Sequence, residues 1–150
     1  MVEEFADPGV IERLLDGAPT WFVVGLGADP QRDAYWVAQD LQRHGKRVVP
    51  IHPRALPVHG EQGYATIGEA AAAVGAPDVV DMFVRSDRVG PFVDQAVDAG
   101  ARAVWMQFGV VDEEAARRAA GAGLDVVMDR CPSDEWARRG GWHRPSRTLR

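Results

Sequence analysis

Short apolar runs alternate with helical patterns along this chain. Residues 20–26, Lys46–Ile51, Val79–Val84, Ala103–Met106 and Leu124–Met128 are rich in Val, Ile, Leu, Met and Trp, which predicts strands buried on both faces of a sheet. The intervening segments repeat their apolar residues at three- and four-residue steps. Residues 8–16 carry Pro8 near the start and Ile11, Leu14 and Leu15 on one face. Asp33 to His44 carry Ala34, Val37, Ala38 and Leu41, and Gly45 closes the helix. Ile67–Val74 is a short Ala-rich helix, and Val89–Ala99 buries Phe92, Val93, Ala96 and Val97. Asp112–Ala120 has Asp112, Glu113 and Glu114 in its first turn, where acids complement the helix dipole. Ser133–Arg139 is a final turn or two of helix with Ser133 as N-cap.

With right-handed crossovers, this alternation predicts a doubly wound α/β fold, a Rossmann-like parallel sheet of five strands in the order 3-2-1-4-5. Residues 52–66 form a long loop containing Pro53, Pro57, Gly60 and Gly63, and a loop of that length in a compact domain is usually functional. No repeat or composition shift divides the chain. Residues 1–150 are expected to form one domain, with its core at 18–139 and an Arg-rich tail at 140–150.

Composition adds exclusions. Hydrophobic residues at 46% and charged residues at 26% are ordinary for a globular protein. The apolar runs fall far short of a membrane span, the acidic N-terminus is unlike a signal peptide, and Cys131 has no second cysteine to pair with. A cytoplasmic location is expected. The net charge is −5, yet five arginines lie in 138–150, which leaves −10 on residues 1–137. An acidic body does not suit nucleic acid.

The candidate chemistry begins at the first strand. It runs into Gly25-Leu26-Gly27-Ala28 and then a helix, presenting backbone N–H groups and a positive helix end to phosphate. Pro30 stands where the dinucleotide fingerprint has its third glycine, so a plain tight turn also fits. A NAD-binding domain places an acid at the end of the second strand. Here Ile51, His52, Pro53 and Arg54 occupy that place. Arg32 heads the following helix, where a cation opposes the dipole unless an anion sits beside it. Together these suit a ribose that carries a phosphate, as in coenzyme A or NADP. A ligand in such a sheet lies outside the carboxyl ends of the strands, which adds Arg85–Asp87, Gln107–Gly109 and Asp129–Cys131.

Several residues keep two readings. His52 fits a ligand contact or a structural imidazole, and Cys131 fits a thiol activated by Arg130 or an inert buried one. Trp21 and Trp105 read as core, and Trp36 as core or interface. His44, His59, His143 and Cys131 lack metal-ligand spacing, and no Gly-x-Ser-x-Gly elbow occurs, so no catalytic residue or metal ligand is assigned.

Six segments in order carry a resemblance. They are Val24-Gly-Leu-Gly-Ala-Asp-Pro30, Val49-Pro-Ile-His-Pro53, Gly60-Glu-Gln-Gly-Tyr-Ala-Thr66, Val80-Asp-Met-Phe-Val-Arg-Ser86, Val104-Trp-Met-Gln-Phe-Gly-Val110 and Gly123-Leu-Asp-Val-Val-Met-Asp-Arg-Cys131. The chain resembles the free-standing CoA-binding proteins, whose domain is similar to the N-terminal domain of the succinyl-CoA synthetase α subunit. His52, Asp33 and Val84 depart from that pattern, which commonly has Asn, Pro and a second Arg there.

The resemblance implies a small binding or regulatory module for coenzyme A or an acyl-CoA. It implies no reaction, because the synthetase's phosphorylated histidine belongs to a different domain. Gly25, Leu26, Gly27 and Ala28 would hold the pyrophosphate; His52, Pro53 and Arg54 would line the adenosine, with Arg54 or Arg32 near the 3′-phosphate. Phe83, Val84, Arg85, Ser86, Gln107, Phe108 and Gly109 would flank the pantetheine arm. The alternatives are an NADP-binding oxidoreductase-like protein, a CoA-binding subunit of a larger acyl-CoA ligase, and a nucleotide sensor acting through its Arg-rich tail. The expected partner is a small-molecule nucleotide, with a homo-oligomer or a ligase partner chain beside it.

Overall fold

The computed structural model describes residues 2–139; the Arg-rich segment at 140–150 lies outside them. The strands are β1 (Thr20–Val24), β2 (Arg47–Ile51), β3 (Val79–Met82), β4 (Ala103–Met106) and β5 (Asp125–Met128). The helices are α1 (Pro8–Gly17), α2 (Asp33–Arg43), α3 (Ile67–Val74), α4 (Val89–Asp98), α5 (Glu113–Gly121) and α6 (Pro132–Arg138), after a 3-10 turn at Val2–Phe5. All strand pairs are parallel, as expected of a Rossmann-like α/β sheet. Among the described residues no helix is long and apolar enough to cross a membrane.

The strand order is β2-β1-β3-β4-β5, which corrects the expected 3-2-1-4-5. The third strand crosses over β1 and pairs on its far side, in the register Val24↔Met82. Pro50 gives the physical reason. It lacks an N–H, so β2 is better suited to an edge than to a place between two strands. The outward side of Pro50 offers only its carbonyl, which accepts the Tyr64 N–H at 2.9 Å. β3 has the opposite character: all four of its residues are buried.

Side-chain alternation divides the core into two layers. One face carries Phe22, Val24, Val80, Met82, Val104 and Met106 against α3, α4 and α5. The other carries Trp21, Val23, Val79, Trp105 and Val127 against α1, α2 and α6. The two tryptophans meet with ring centroids 5.6 Å apart, so both are core as expected.

Three local expectations change. β1 stops at Val24 because Gly25 turns to φ +92°, and β3 stops at Met82 rather than reaching Val84. α6 starts at Pro132 with Cys131 as N-cap, so Ser133 lies inside the helix. Its hydroxyl instead donates to the buried Asp40 carboxylate of α2 at 2.7 Å.

Candidate functional site

The ladder runs one residue past each strand at the carboxyl edge. The N–H groups of Gly25, Phe83, Gln107 and Asp129 donate to Ile51, Val24, Met82 and Met106, at 2.8, 2.9, 3.3 and 2.8 Å. These bonds align His52, Gly25, Phe83, Gln107 and Asp129 in one row across the sheet. The strand order reverses between β1 and β3, so the Gly25 turn and the Phe83–Ser86 segment are direct neighbours at the switch point. In the expected order Phe83–Ser86 would have followed an edge strand beyond β2.

The two glycines of the turn have different jobs. A Cβ on Gly25 would overlap the Phe83 carbonyl, and its φ of +92° is left-handed, so only glycine fits. A Cβ on Gly27 would lie 3.3 Å from His52 Cδ2 and 3.4 Å from its Nε2. The imidazole therefore closes one wall of the turn. Its Nδ1 accepts the Arg54 N–H at 3.1 Å, so a neutral ring carries its proton on Nε2, beside Gly27.

Helix starts differ around this edge. α3 and α5 are capped by Thr66 and Asp112, whose side chains accept the Glu69 and Ala115 N–H groups, each at 3.0 Å. α2 and α4 follow the strands that flank the switch point. Each has an arginine at N-cap, Arg32 and Arg88, and no side-chain cap. Their first N–H donors are left to an outside partner.

The cations of the edge are weakly neutralised. Arg32 is 80% exposed and 3.9 Å from Asp29, while Arg54 and Arg88 make no ion pair with any described residue. Arg85 differs, pairing with Asp87 at 2.7 Å. Arg88 escapes a sequence reading that stops at Asp87; the signal, a cation where a helix cap belongs, is the one Arg32 gives.

Ser86 and Asp129 build the site from beneath. The Ser86 hydroxyl donates to the Gly109 carbonyl at 3.2 Å and accepts the Val111 N–H at 2.9 Å. Asp129 accepts the Gly109 N–H at 2.6 Å. These bonds pin the loop after β4, which holds Phe108 73% exposed. Leu26 is fully buried, so its side chain belongs to the core and only its backbone faces the turn. Cys131 is 5% exposed, which favours the inert reading of its thiol. Trp36 is half-buried and donates its indole N–H to Pro30 at 2.7 Å, steadying the approach to α2.

The 52–66 loop is anchored to the fold. Tyr64 bridges to Ile51, Val58 is buried, and His59 Nε2 donates to the Tyr35 carbonyl at 2.6 Å. A groove of about 620 Å³ lies between α3 and α4, lined by residues such as Thr66, Ala71, Gln95 and Asp98. It includes none of the edge row and has neither cation nor aromatic ring to hold a nucleotide.

Beneath the row, Asp81 lies fully buried in β3 and neither of its oxygens is hydrogen-bonded. Burial pushes its carboxyl well above the usual carboxylate range, with a lesser opposing pull from the Met82 N–H.

Comparison with known proteins bears on the family and the fold. A family model described as a CoA binding domain matches residues 19–136. The uncharacterized protein YneT of Bacillus subtilis is 27% identical over 121 residues, covering 81% of this chain and 87% of its own. A hypothetical protein from Pyrococcus horikoshii OT3 superposes with a TM-score of 0.81 at 33% identity, covering 87% of this chain and 90% of its own. The dinucleotide-forming acetyl-coenzyme A synthetase 1 of Ca. Korarchaeum cryptofilum superposes at 0.65 with 25% identity, over 79% of this chain and 28% of the synthetase. With its glycine turn at the switch point and a family match spanning most of its length, the chain belongs to the CoA-binding domain family.

Proposed function

We propose that this protein binds coenzyme A or an acyl-CoA across the carboxyl edge of its sheet, as a binding module. The observation that carries this reading is the pair of uncapped, arginine-headed helix starts, α2 and α4, on either side of the Gly25–Ala28 turn. Uncapped backbone donors and weakly neutralised cations stand at the switch point, which suits a ligand with several phosphate charges.

The N–H groups of Gly27 and Ala28 and the start of α2 take the pyrophosphate. His52 and Pro53 line the adenosine, and Arg54, aided by Arg32, reads the 3′-phosphate. Phe83, Val84 and Arg85 flank the pantetheine arm from one side, and Gln107 and Phe108 from the other. Ser86 and Gly109 hold that second wall in place through their mutual hydrogen bond.

Calorimetry with matched ligands tests the reading. Coenzyme A is expected to bind more tightly than its 3′-dephospho form by roughly 1.5–3 kcal/mol, the scale of a charge-assisted contact. Equal affinities would remove the 3′-phosphate from the argument, and tighter binding of NADP would reassign the ligand.

The synthetase neighbour supports a second reading, a CoA-binding subunit that works with a ligase partner chain. Co-purification of a stoichiometric second chain from the native source would favour it; a free protein that binds coenzyme A alone would favour the module.

A further inference from the structure

Two of the buried polar groups on the α1–α2–α6 face that have no hydrogen bond from a described residue are brought toward each other by the strand register. One is the Asp81 carboxyl; the other is Oε1 of Gln107, a residue 7% exposed just past β4. Asp81 pairs in register with Trp105, and Gln107 follows two residues on, so both side chains leave the same face of the sheet. Strand spacing and rise place their Cα atoms about 8 Å apart, within the combined reach of the two side chains.

The donors around Asp81 are engaged elsewhere. The Trp105 indole N–H goes to the Arg130 carbonyl and that of Trp21 to Ala18, each at 2.8 Å. The Ser133 hydroxyl goes to Asp40. The charged groups of the packed elements are occupied too: Asp40 of α2 lies near Arg43, and Glu135 of α6 pairs with Arg138. Asp129 beyond β5 caps Gly109, and His52 beyond β2 takes the Arg54 N–H. Lys46 precedes β2 at the opposite edge, and α1 turns Ile11, Leu14 and Leu15 inward. None of these bonds to Asp81. The Met82 N–H, which forms no hydrogen bond of good geometry, pulls less strongly than burial, so this carboxyl is most stable as the neutral acid, and its O–H then needs an acceptor.

We propose that Asp81 donates its carboxyl O–H to Oε1 of Gln107 and so fixes that amide with Nε2 turned to the crevice, as donor to an amide carbonyl of a pantetheine arm. Oε1 is already the amide atom turned inward, and a side-chain rotation closes the bond. Asp81 is a positioning residue here; Gln107 touches the ligand. Only the identity of the acceptor rests on the coenzyme A reading above.

Substitutions separate the polarity of Asp81 from its mere presence. Asp81→Asn keeps a donor toward Oε1 and is expected to hold coenzyme A affinity within about threefold. Asp81→Leu and Gln107→Leu lose the oriented donor and are expected to weaken coenzyme A about tenfold, the scale of one hydrogen bond. Adenosine 3′,5′-bisphosphate, which lacks the pantetheine arm, should bind all four proteins alike. Should Asp81→Leu not fold, Gln107→Leu carries the binding comparison. A ligand-free readout is the Gln107 side-chain amide resonance in nitrogen-15 NMR, expected to hold in Asp81→Asn and to move or broaden in Asp81→Leu. An ionised Asp81 would draw Nε2 inward and leave Oε1 to the crevice, and Asp81→Leu would then leave coenzyme A affinity unchanged or raise it. That result overturns the proposal, as does an amide resonance indifferent to Asp81→Leu or an equal loss of the bisphosphate. A wild-type protein that binds no coenzyme A defeats the ligand reading instead, and the amide resonance still decides the pair.

Discussion

The two edges of this sheet carry similar residue types and use them in opposite ways. At the amino edge, helices return to strands through glycines in left-handed conformations: Gly45, Gly75, Gly100 and Gly123, with φ between +80° and +98°. Charges there are matched within the fold. Arg13 meets Asp125 at 2.8 Å, Arg102 lies 3.8 Å from Asp78, and Asp78 also accepts the Thr20 N–H at 2.9 Å. At the carboxyl edge Arg54 and Arg88 make no ion pair with a described residue, the starts of α2, α4 and α6 lack side-chain caps, and Phe108 stands in solvent. Groups that the fold satisfies itself mark where the chain is closed; groups it leaves open mark where a partner belongs.

The sharpest way to break this contrast is to add one methyl at each edge. Gly25→Ala is expected to lose about 2–4 kcal/mol in urea denaturation, because left-handed strain adds to overlap with the Phe83 carbonyl. Gly45→Ala has the same kind of φ with open space around its Cβ, and should lose only about 1–2 kcal/mol. Equal losses would mean that the crevice is no more crowded than an ordinary turn.

Charge removal comes next. Arg54→Ala is expected to bring coenzyme A down to the affinity of 3′-dephospho-coenzyme A, a loss of roughly 1.5–3 kcal/mol by calorimetry. Arg102→Ala at the amino edge should leave binding unchanged and alter stability by less than about 0.5 kcal/mol, since its side chain is 83% exposed. Asp78→Ala removes the acceptor of the Thr20 N–H and should cost about 1 kcal/mol of stability with no change in coenzyme A affinity. A binding defect in Asp78→Ala would erase the division of labour between the edges.

A dependence on pH is expected as well. Burial raises the Asp81 carboxyl in the folded state above its ordinary value of 3.8. The contribution of such a group to stability is full below that unfolded value and is lost as pH rises toward the folded one. Asp81→Asn removes the dependence, so the stability of the variant relative to wild type should increase between about pH 5 and pH 8. Melting curves of both proteins at the two pH values check the sign; a relative stability that stays constant over this range would mean that Asp81 is ionised in the fold.

Most of the crevice was legible because, in a parallel sheet, the residue after each strand falls on the same edge whatever the order of the strands. Gly25, His52, Gln107 and Asp129 are therefore assigned to that edge by local pattern alone, whereas the pattern reads Phe83 as the interior of the third strand. Ser133 was misplaced because its hydroxyl could serve the helix start or a side chain on another helix, and Asp40, ninety-three residues away, prevailed at 2.7 Å. Arg88 was within reach of the reasoning applied to Arg32.

Sequence by itself determined the elements, their alternation and the edge that bears the chemistry, since apolar periodicity and turn residues act over a few neighbours. Tertiary structure alone decided which strands are adjacent. Crossover handedness allows the third strand on either side of β1, and the outcome depends on burying all of β3 while leaving Pro50 at an edge. The same non-local packing decided that Ser86 ties two loops, that Asp129 caps Gly109, and that the Asp81 carboxyl and Gln107 Oε1 are buried without a hydrogen-bond partner. Each of these depends on what stands opposite a residue rather than on what stands next to it in the chain.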